Sequence, residues 1–89
     1  MWTLYVLQHT VTKQLYVGVT NNLQRRLGEH NSNQQTATTR KNGEWILIYA
    51  EAYRSKEDAY QRERKLKHHG SGMKKLKERI QRSMLENEK

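Results

Sequence analysis

The 89-residue chain predicts one small domain of the α/β type, built in the α+β manner. A three-stranded antiparallel or mixed sheet is flanked by helices in the order β-β-α-β-α-α. Three observations carry this prediction. Two short runs near the N-terminus are rich in Leu, Val and Tyr, the first with period-two alternation. A nearly continuous apolar run, "WILIYAEAY", follows at residues 45–53. Beyond it, apolar residues recur at helical spacing. The domain is expected over residues 1–85, with 86–89 as a disordered tail.

Each element has a local reason. Residues 2–9, "WTLYVLQH", put Leu4 and Val6 on one face and Tyr5 and Leu7 on the other. Residues 10–14, "TVTKQ", are polar enough to connect a hairpin, although no Asn-Gly or Asp-Gly marks the turn. Residues 15–19, "LYVGV", form the partner strand. Gly18 inside it weakens the strand and marks either a bulge or a place where something approaches the backbone closely. Asn21 or Asn22 caps a helix from about Leu23 to Asn31, with Leu23 and Leu27 one turn apart. Residues 31–44 are a long polar loop of the kind that carries function or moves. The apolar run at 45–53 suits a central strand covered on both faces. Ser55 with Asp58 resembles a capping box and starts a helix from Lys56 to His68. Gly70 and Gly72 break it. A third helix, from about Met73 to Leu85, carries the stripe Met73, Leu76, Ile80 and Met84.

Composition narrows the function. Seventeen Lys and Arg against nine Asp and Glu give a formal charge of +8. Twelve of those cations and six of the acids lie in residues 54–89, so the C-terminal helices hold most of the basic surface. An excess of this size on a short chain points to a polyanionic partner, nucleic acid first. There is no Cys, which removes disulfides and thiolate metal sites. No apolar stretch is long enough for a bilayer, and "MWTLYVLQHT" has no charged leader. A cytoplasmic protein without membrane association is the expectation.

Several side chains could carry chemistry. Ala59, Glu63 and Leu66 stand at i, i+4 and i+7 on one helical stripe. Glu63 is thereby drawn toward the sheet, where a carboxylate needs a cation, a metal or hydrogen-bond donors. The plainer reading pairs it with Lys67 or Lys56 on the helix surface. Arg25 and Arg26 open the first helix, with His30 one turn beyond Arg26. Such a pair commonly faces solvent, yet an arginine there could hold a phosphate through paired hydrogen bonds. Tyr5 and Tyr16 sit on the two hairpin strands, where packing alone accounts for either. What matters is convergence: two phenols, a guanidinium, an imidazole and a carboxylate from two strands and two helices. Arg25, Arg40, Lys41, Lys67, Lys74 and Lys75 are the cations expected along a nucleic-acid path. His68 and His69 either touch the same path or are a solvated helix end.

In this order, the motifs resemble the GIY-YIG nuclease family. Thr3-Leu4-Tyr5 is similar to the first half-motif and Tyr16-Val17-Gly18 to the second. "TNNLQRRLGEHN" is similar to the family segment carrying an arginine and then a histidine. "WILIYAE" and "SKEDAYQRERKLK" resemble its later strand and glutamate-bearing helix. The likeness spans roughly residues 2–80 and is nearest to small single-domain bacterial members, related to the nuclease domain of the excision-repair incision subunit. It implies catalytic roles for Tyr5, Tyr16, Arg26, His30 and Glu63. Tyr16 would act near the attacking water, as a general base or as its orienter, and Tyr5 would help position water or phosphate. Arg26 would stabilise charge on the scissile phosphate, and His30 would assist proton transfer or orientation. Glu63 would hold one divalent cation, Mg²⁺ or Mn²⁺. A single carboxylate with waters suits Mg²⁺, which keeps much of its hydration shell. Gly18 would leave room for the phosphate. Thr3 stands where the name-giving motif has its first glycine. The asparagine that often follows the glutamate helix has no counterpart before Asn87.

The resemblance implies a metal-dependent DNA endonuclease, selective for structure rather than sequence, acting in repair or recombination. So small a domain is expected to show low sequence selectivity or to rely on a protein partner. A nucleic-acid-binding module with the same fold and little catalysis is the second reading, and a basic protein-interaction domain the third. Phosphate-dominated binding weakens steeply with salt, whereas an apolar protein interface does not.

Overall fold

The computed structural model describes residues 1–32, 43–68 and 70–85. Its strands are β1 (Trp2–His9), β2 (Leu15–Thr20) and β3 (Trp45–Tyr53), and its helices α1 (Leu23–Ser32), α2 (Lys56–His68) and α3 (Gly70–Arg79). The sheet order is β2-β1-β3, with both pairings antiparallel. This is the expected α+β order of elements.

β1 occupies the centre. Leu4 through His9 are consecutively buried, because β1 has a strand on each side and helices over both faces. Leu4 and Val6 join Val17 and Val19 beneath Ala59 and Leu66 of α2, Leu76 of α3 and Ile80 just past its end. Alternation turns Tyr5 to the opposite face, where His30 of α1 meets it.

The expectation of a central β3 is overturned, since β3 lies at an edge. Its unbroken apolar run has another cause. Pairing with β1 steps from Val6↔Tyr49 to Leu7↔Leu47, so Ile48 is the extra residue of a bulge. Ile48 and Tyr49 then both pack on the core despite being neighbours in sequence. Glu51, on the same side as Tyr49 and Tyr53, accepts hydrogen bonds from both phenols. Arg62 of α2 adds two donors, its Nε at 3.1 Å and its Nη2 at 3.2 Å. Burial opposes ionisation of Glu51, but these bonds hold its carboxyl below the usual range.

The helix starts follow the sequence reading. The Arg25 amide donates to Asn22 Oδ1 at 3.1 Å, and the Asp58 amide donates to Ser55 Oγ at 3.3 Å. α3 departs from it, starting at Gly70 and ending at Arg79 rather than running from Met73 to Leu85. Gly70 and Gly72 occupy its first turn, where amides lack intrahelical acceptors in any case. A side chain at 72 would crowd the Lys65 carbonyl, its Cβ lying 3.1 Å from that oxygen. Past Arg79 the chain turns back. The Leu85 amide donates to buried Gln8 Oε1 at 2.7 Å, tying this end to the central strand. The hairpin turn without Asn-Gly is organised by His9, whose Nδ1 accepts from the Val11 and Thr12 amides at 3.2 Å each.

Candidate active site

The β1–β2 register sets the floor of the site. Tyr5 pairs with Gly18, and Leu7 with Tyr16. Tyr5 and Tyr16 are therefore diagonal neighbours on one face, their ring centroids 6.1 Å apart. Tyr5 is buried, whereas Tyr16 is 40% exposed at the β2 edge. The ring of Tyr5 lies across Gly18. A Cβ at that position would fall 2.5 Å from the Tyr5 hydroxyl and 2.6 Å from its ring carbon. The glycine thus makes room for the Tyr5 phenol. Gly18→Val is accordingly expected to cost about 2 kcal/mol or more of stability, read as a lowered urea midpoint. A double-mutant cycle with Tyr5→Leu should show coupling between the two sites. Unchanged stability with cleavage alone impaired would return Gly18 to the phosphate.

α1 brings Arg26 and His30 over this floor. His30 Nε2 lies 3.1 Å from the Tyr5 hydroxyl, and the His30 ring meets Tyr16 edge-on at 4.6 Å between centroids. Arg26, Glu29, His30 and Ser32 line an open cavity of about 350 Å³. Arg26 Nη1 bonds Glu29 Oε1 at 3.3 Å, and Arg25 approaches the same carboxylate at 3.8 Å. Arg25 is thus brought beside the site, as an exposed cation on α1.

Burial pushes the Tyr5 phenol up to about 12, reinforced by neighbouring Tyr16 and, more weakly, Glu63, and opposed by Arg26. Tyr5 therefore stays protonated at neutral pH and holds His30 rather than accepting a proton. Partial burial lowers the His30 pKa below 6.5, Arg26 adding to the shift and Glu29 opposing it. A ring titration followed by NMR should give a midpoint below 6.5, moving upward in Arg26→Ala. The unfolded chain takes up this proton first on acidification. The His30 contribution to stability is therefore present above about 6.5 and is lost as the pH falls through the window below it.

Glu63 projects from α2, its side chain only 17% exposed, and Lys67 Nζ pairs with Glu63 Oε2 at 3.2 Å. Of its two expected surface partners, Lys67 is the one found, since Lys56 lies over Trp2 and Tyr60. Lys67 Nζ also sits 5.9 Å from the Tyr16 ring centroid. It reaches that ring because β2 is an edge strand. Lys67, expected as a partner of Glu63 and along a nucleic-acid path, thus joins the acid on α2 to the aromatic ring on β2. One hard carboxylate oxygen, shielded but reachable, fits a divalent cation that takes its other ligands from water and phosphate. Among the described residues no group of three His, Cys, Asp or Glu gathers as a metal cluster.

Two neighbours were missed in the sequence. The Asn31 side chain donates to the Trp45 carbonyl at 3.0 Å and accepts from the Trp45 amide at 2.9 Å. These bonds clamp the end of α1 to the start of β3. Trp45 in turn lies 6.3 Å from Tyr16 and 5.1 Å from His9, between ring centroids. Asn31 follows His30 directly, which was the available signal. Among the expected cations, Arg40 and Lys41 lie outside the described residues, as do His69 and the expected tail at 86–89. Lys74 and Lys75 are not gathered into the site. Lys74 lines a groove with Met73 and Met84, and Lys75 a smaller one with Arg62 and Arg79.

Two tyrosines meet a histidine on one face of the sheet of this α+β domain, with an arginine beside that histidine at an open cavity and a glutamate on the flanking helix. The GIY-YIG catalytic domain family matches residues 1–82, and the chain belongs to that family. Among relatives, a UPF0213 protein of Desulfotalea psychrophila is 37% identical over 67 residues, covering 74% of this chain and 60% of its own length. An uncharacterized protein of Acanthamoeba polyphaga mimivirus is 33% identical over 93 residues, covering 98% and 52%. A UPF0213 protein of Pectobacterium carotovorum is 38% identical over 48 residues, covering 54% and 48%. The chain thus spans about half to three-fifths of the length of these relatives. No solved structure matches it. No helix among the described residues is long and apolar enough to cross a membrane.

Proposed function

We propose that the chain is a divalent-metal-dependent endonuclease that hydrolyses phosphodiester bonds in DNA, choosing its substrate by structure more than by sequence. Work in the cytoplasm, in repair or recombination, is the setting proposed for it. The observation that carries the reading is the convergence of the Tyr16 and Tyr5 phenols on the His30 ring, with Arg26 beside His30 at an open cavity.

Hydrolysis adds water to phosphorus and expels the sugar oxygen, with charge growing on the phosphoryl oxygens. Arg26 faces the cleft and donates to those oxygens in place of Glu29. Exposed Tyr16 orients the water through its hydroxyl. The proton of that water passes to a neighbouring base. His30 is neutral at pH 7. With its Nε2–H donating to the Tyr5 oxygen, Nδ1 keeps a lone pair that can accept the proton; this tautomer is the one assigned here. Glu63 would hold the divalent ion, Mg²⁺ or Mn²⁺, whose chemistry is Lewis-acid stabilisation of phosphoryl charge. Arg25, Arg40, Lys41, Lys67, Lys74 and Lys75 would contact backbone phosphates outside the reacting one.

The test is cleavage of labelled duplex, single-stranded, flap, fork and four-way-junction DNA, with Mg²⁺, with Mn²⁺ and with EDTA. Metal-dependent products on one or two of these structures, greatly reduced in Tyr16→Phe, are expected. Salt-sensitive binding with no product on any substrate would convert the reading to that of a binding module.

A further inference from the structure

We infer that Lys67 occupies the Glu63 carboxylate while the site is empty of DNA and releases it when a phosphate arrives, so that metal and DNA bind cooperatively. The inference rests on the nuclease reading above and concerns the order in which that site fills. Its basis is the double placement of one ammonium, 3.2 Å from Glu63 Oε2 and 5.9 Å from the Tyr16 ring.

Glu63 and Lys67 are unequal partners. The carboxylate is 17% exposed and held on the inner stripe of α2, whereas the lysine side chain is 44% exposed. The lysine is the mobile member, with a flexible four-carbon stem. A divalent ion seated on Glu63 would lie within a few ångströms of the ammonium, and the two cations repel. Either the ion is held weakly or Lys67 leaves. Bulk water offers the ammonium little incentive to leave, because its pairing with Glu63 costs nothing further in desolvation. A DNA phosphate at the Tyr16 edge changes this by presenting an anion next to the place where Lys67 already sits. The ammonium then trades a carboxylate for a phosphate, and Glu63 is freed. Coupling of this kind is reciprocal: DNA tightens metal binding, and metal tightens DNA binding. One physiological consequence is that the substrate-free protein carries little metal.

The test is Mn²⁺ binding to the intact chain, followed by electron paramagnetic resonance without DNA. Lys67→Met keeps the stem and removes the charge. It should bind Mn²⁺ about fivefold more tightly than the parent, from the loss of one nearby cation in a mostly aqueous setting. Lys67→Arg should stay close to the parent. In a Tyr16→Phe background, which retains the ring beneath Lys67, added duplex DNA should tighten Mn²⁺ binding, and Lys67→Met should reduce that gain. Unchanged or weaker Mn²⁺ binding in Lys67→Met overturns the inference and leaves Glu63 as the seat of the ion. Full Mn²⁺ binding in Glu63→Gln overturns both the inference and the metal role on which it rests. Circular dichroism of each variant confirms that the fold is retained.

Discussion

Glu63→Gln is expected to lower the cleavage rate by roughly a thousandfold or more while DNA affinity measured without divalent metal stays level or rises slightly. The magnitude follows from the several kcal/mol of transition-state stabilisation that a positioned metal ion supplies, at 1.36 kcal/mol per factor of ten. Glutamine is nearly isosteric, so the packing of Ala59 and Leu66 beneath α2 is undisturbed. The amide cannot seat a divalent ion well, nor can it form the ion pair with Lys67. Losing a negative charge near bound phosphate favours DNA if anything. Single-turnover cleavage and a binding titration on the same DNA separate the two effects. Glu63→Asp should recover part of the rate, since it restores the charge at a shorter reach. Equal rates for parent and Glu63→Gln would remove the metal role from this residue.

Much of this architecture was legible because it depends on nearest neighbours in sequence. β1 and α2 fall where alternation and capping place them, and α1 starts one residue after its Asn22 cap. The place of β3 in the sheet was not legible in the same way. Hydrophobic runs report burial, and burial of Ile48 and Tyr49 came from a bulge rather than from a central position. α3 was misjudged because glycine was weighed as a helix breaker. Two glycines in a first turn cost little, and the Lys65 carbonyl leaves almost no space for a side chain at 72. The same limit applies within the site. The residues that converge were readable from their order, but the cause of Gly18 lies across the ladder in Tyr5. Lys67 was visible as the i+4 partner of Glu63. That it also lies against Tyr16 depends on how α2 crosses the β2 edge, which no local pattern encodes.

Arg26→Ala should reduce kcat by about a hundredfold to a thousandfold, with a much smaller change in DNA affinity. Removal of one well-placed donor to developing charge has an effect of that order. In the resting protein the guanidinium is held by Glu29, across a cavity that His30 also lines. Both partners are about half exposed, so this pairing is worth little. It keeps Arg26 over the cleft without competing seriously with a phosphate. Negative charge on the phosphoryl oxygens increases toward the transition state, so the arginine gains more there than in the bound ground state. Arg26→Lys restores the charge but not the paired geometry and should recover only part of the rate. The His30 ring supplies an independent check, because Arg26 contributes to holding its titration low. An alanine at 26 should move that titration upward while Tyr5 still holds the ring. If affinity instead collapsed while kcat held, Arg26 would belong with the cations that merely bind the backbone, and the charge at the scissile phosphate would need another source.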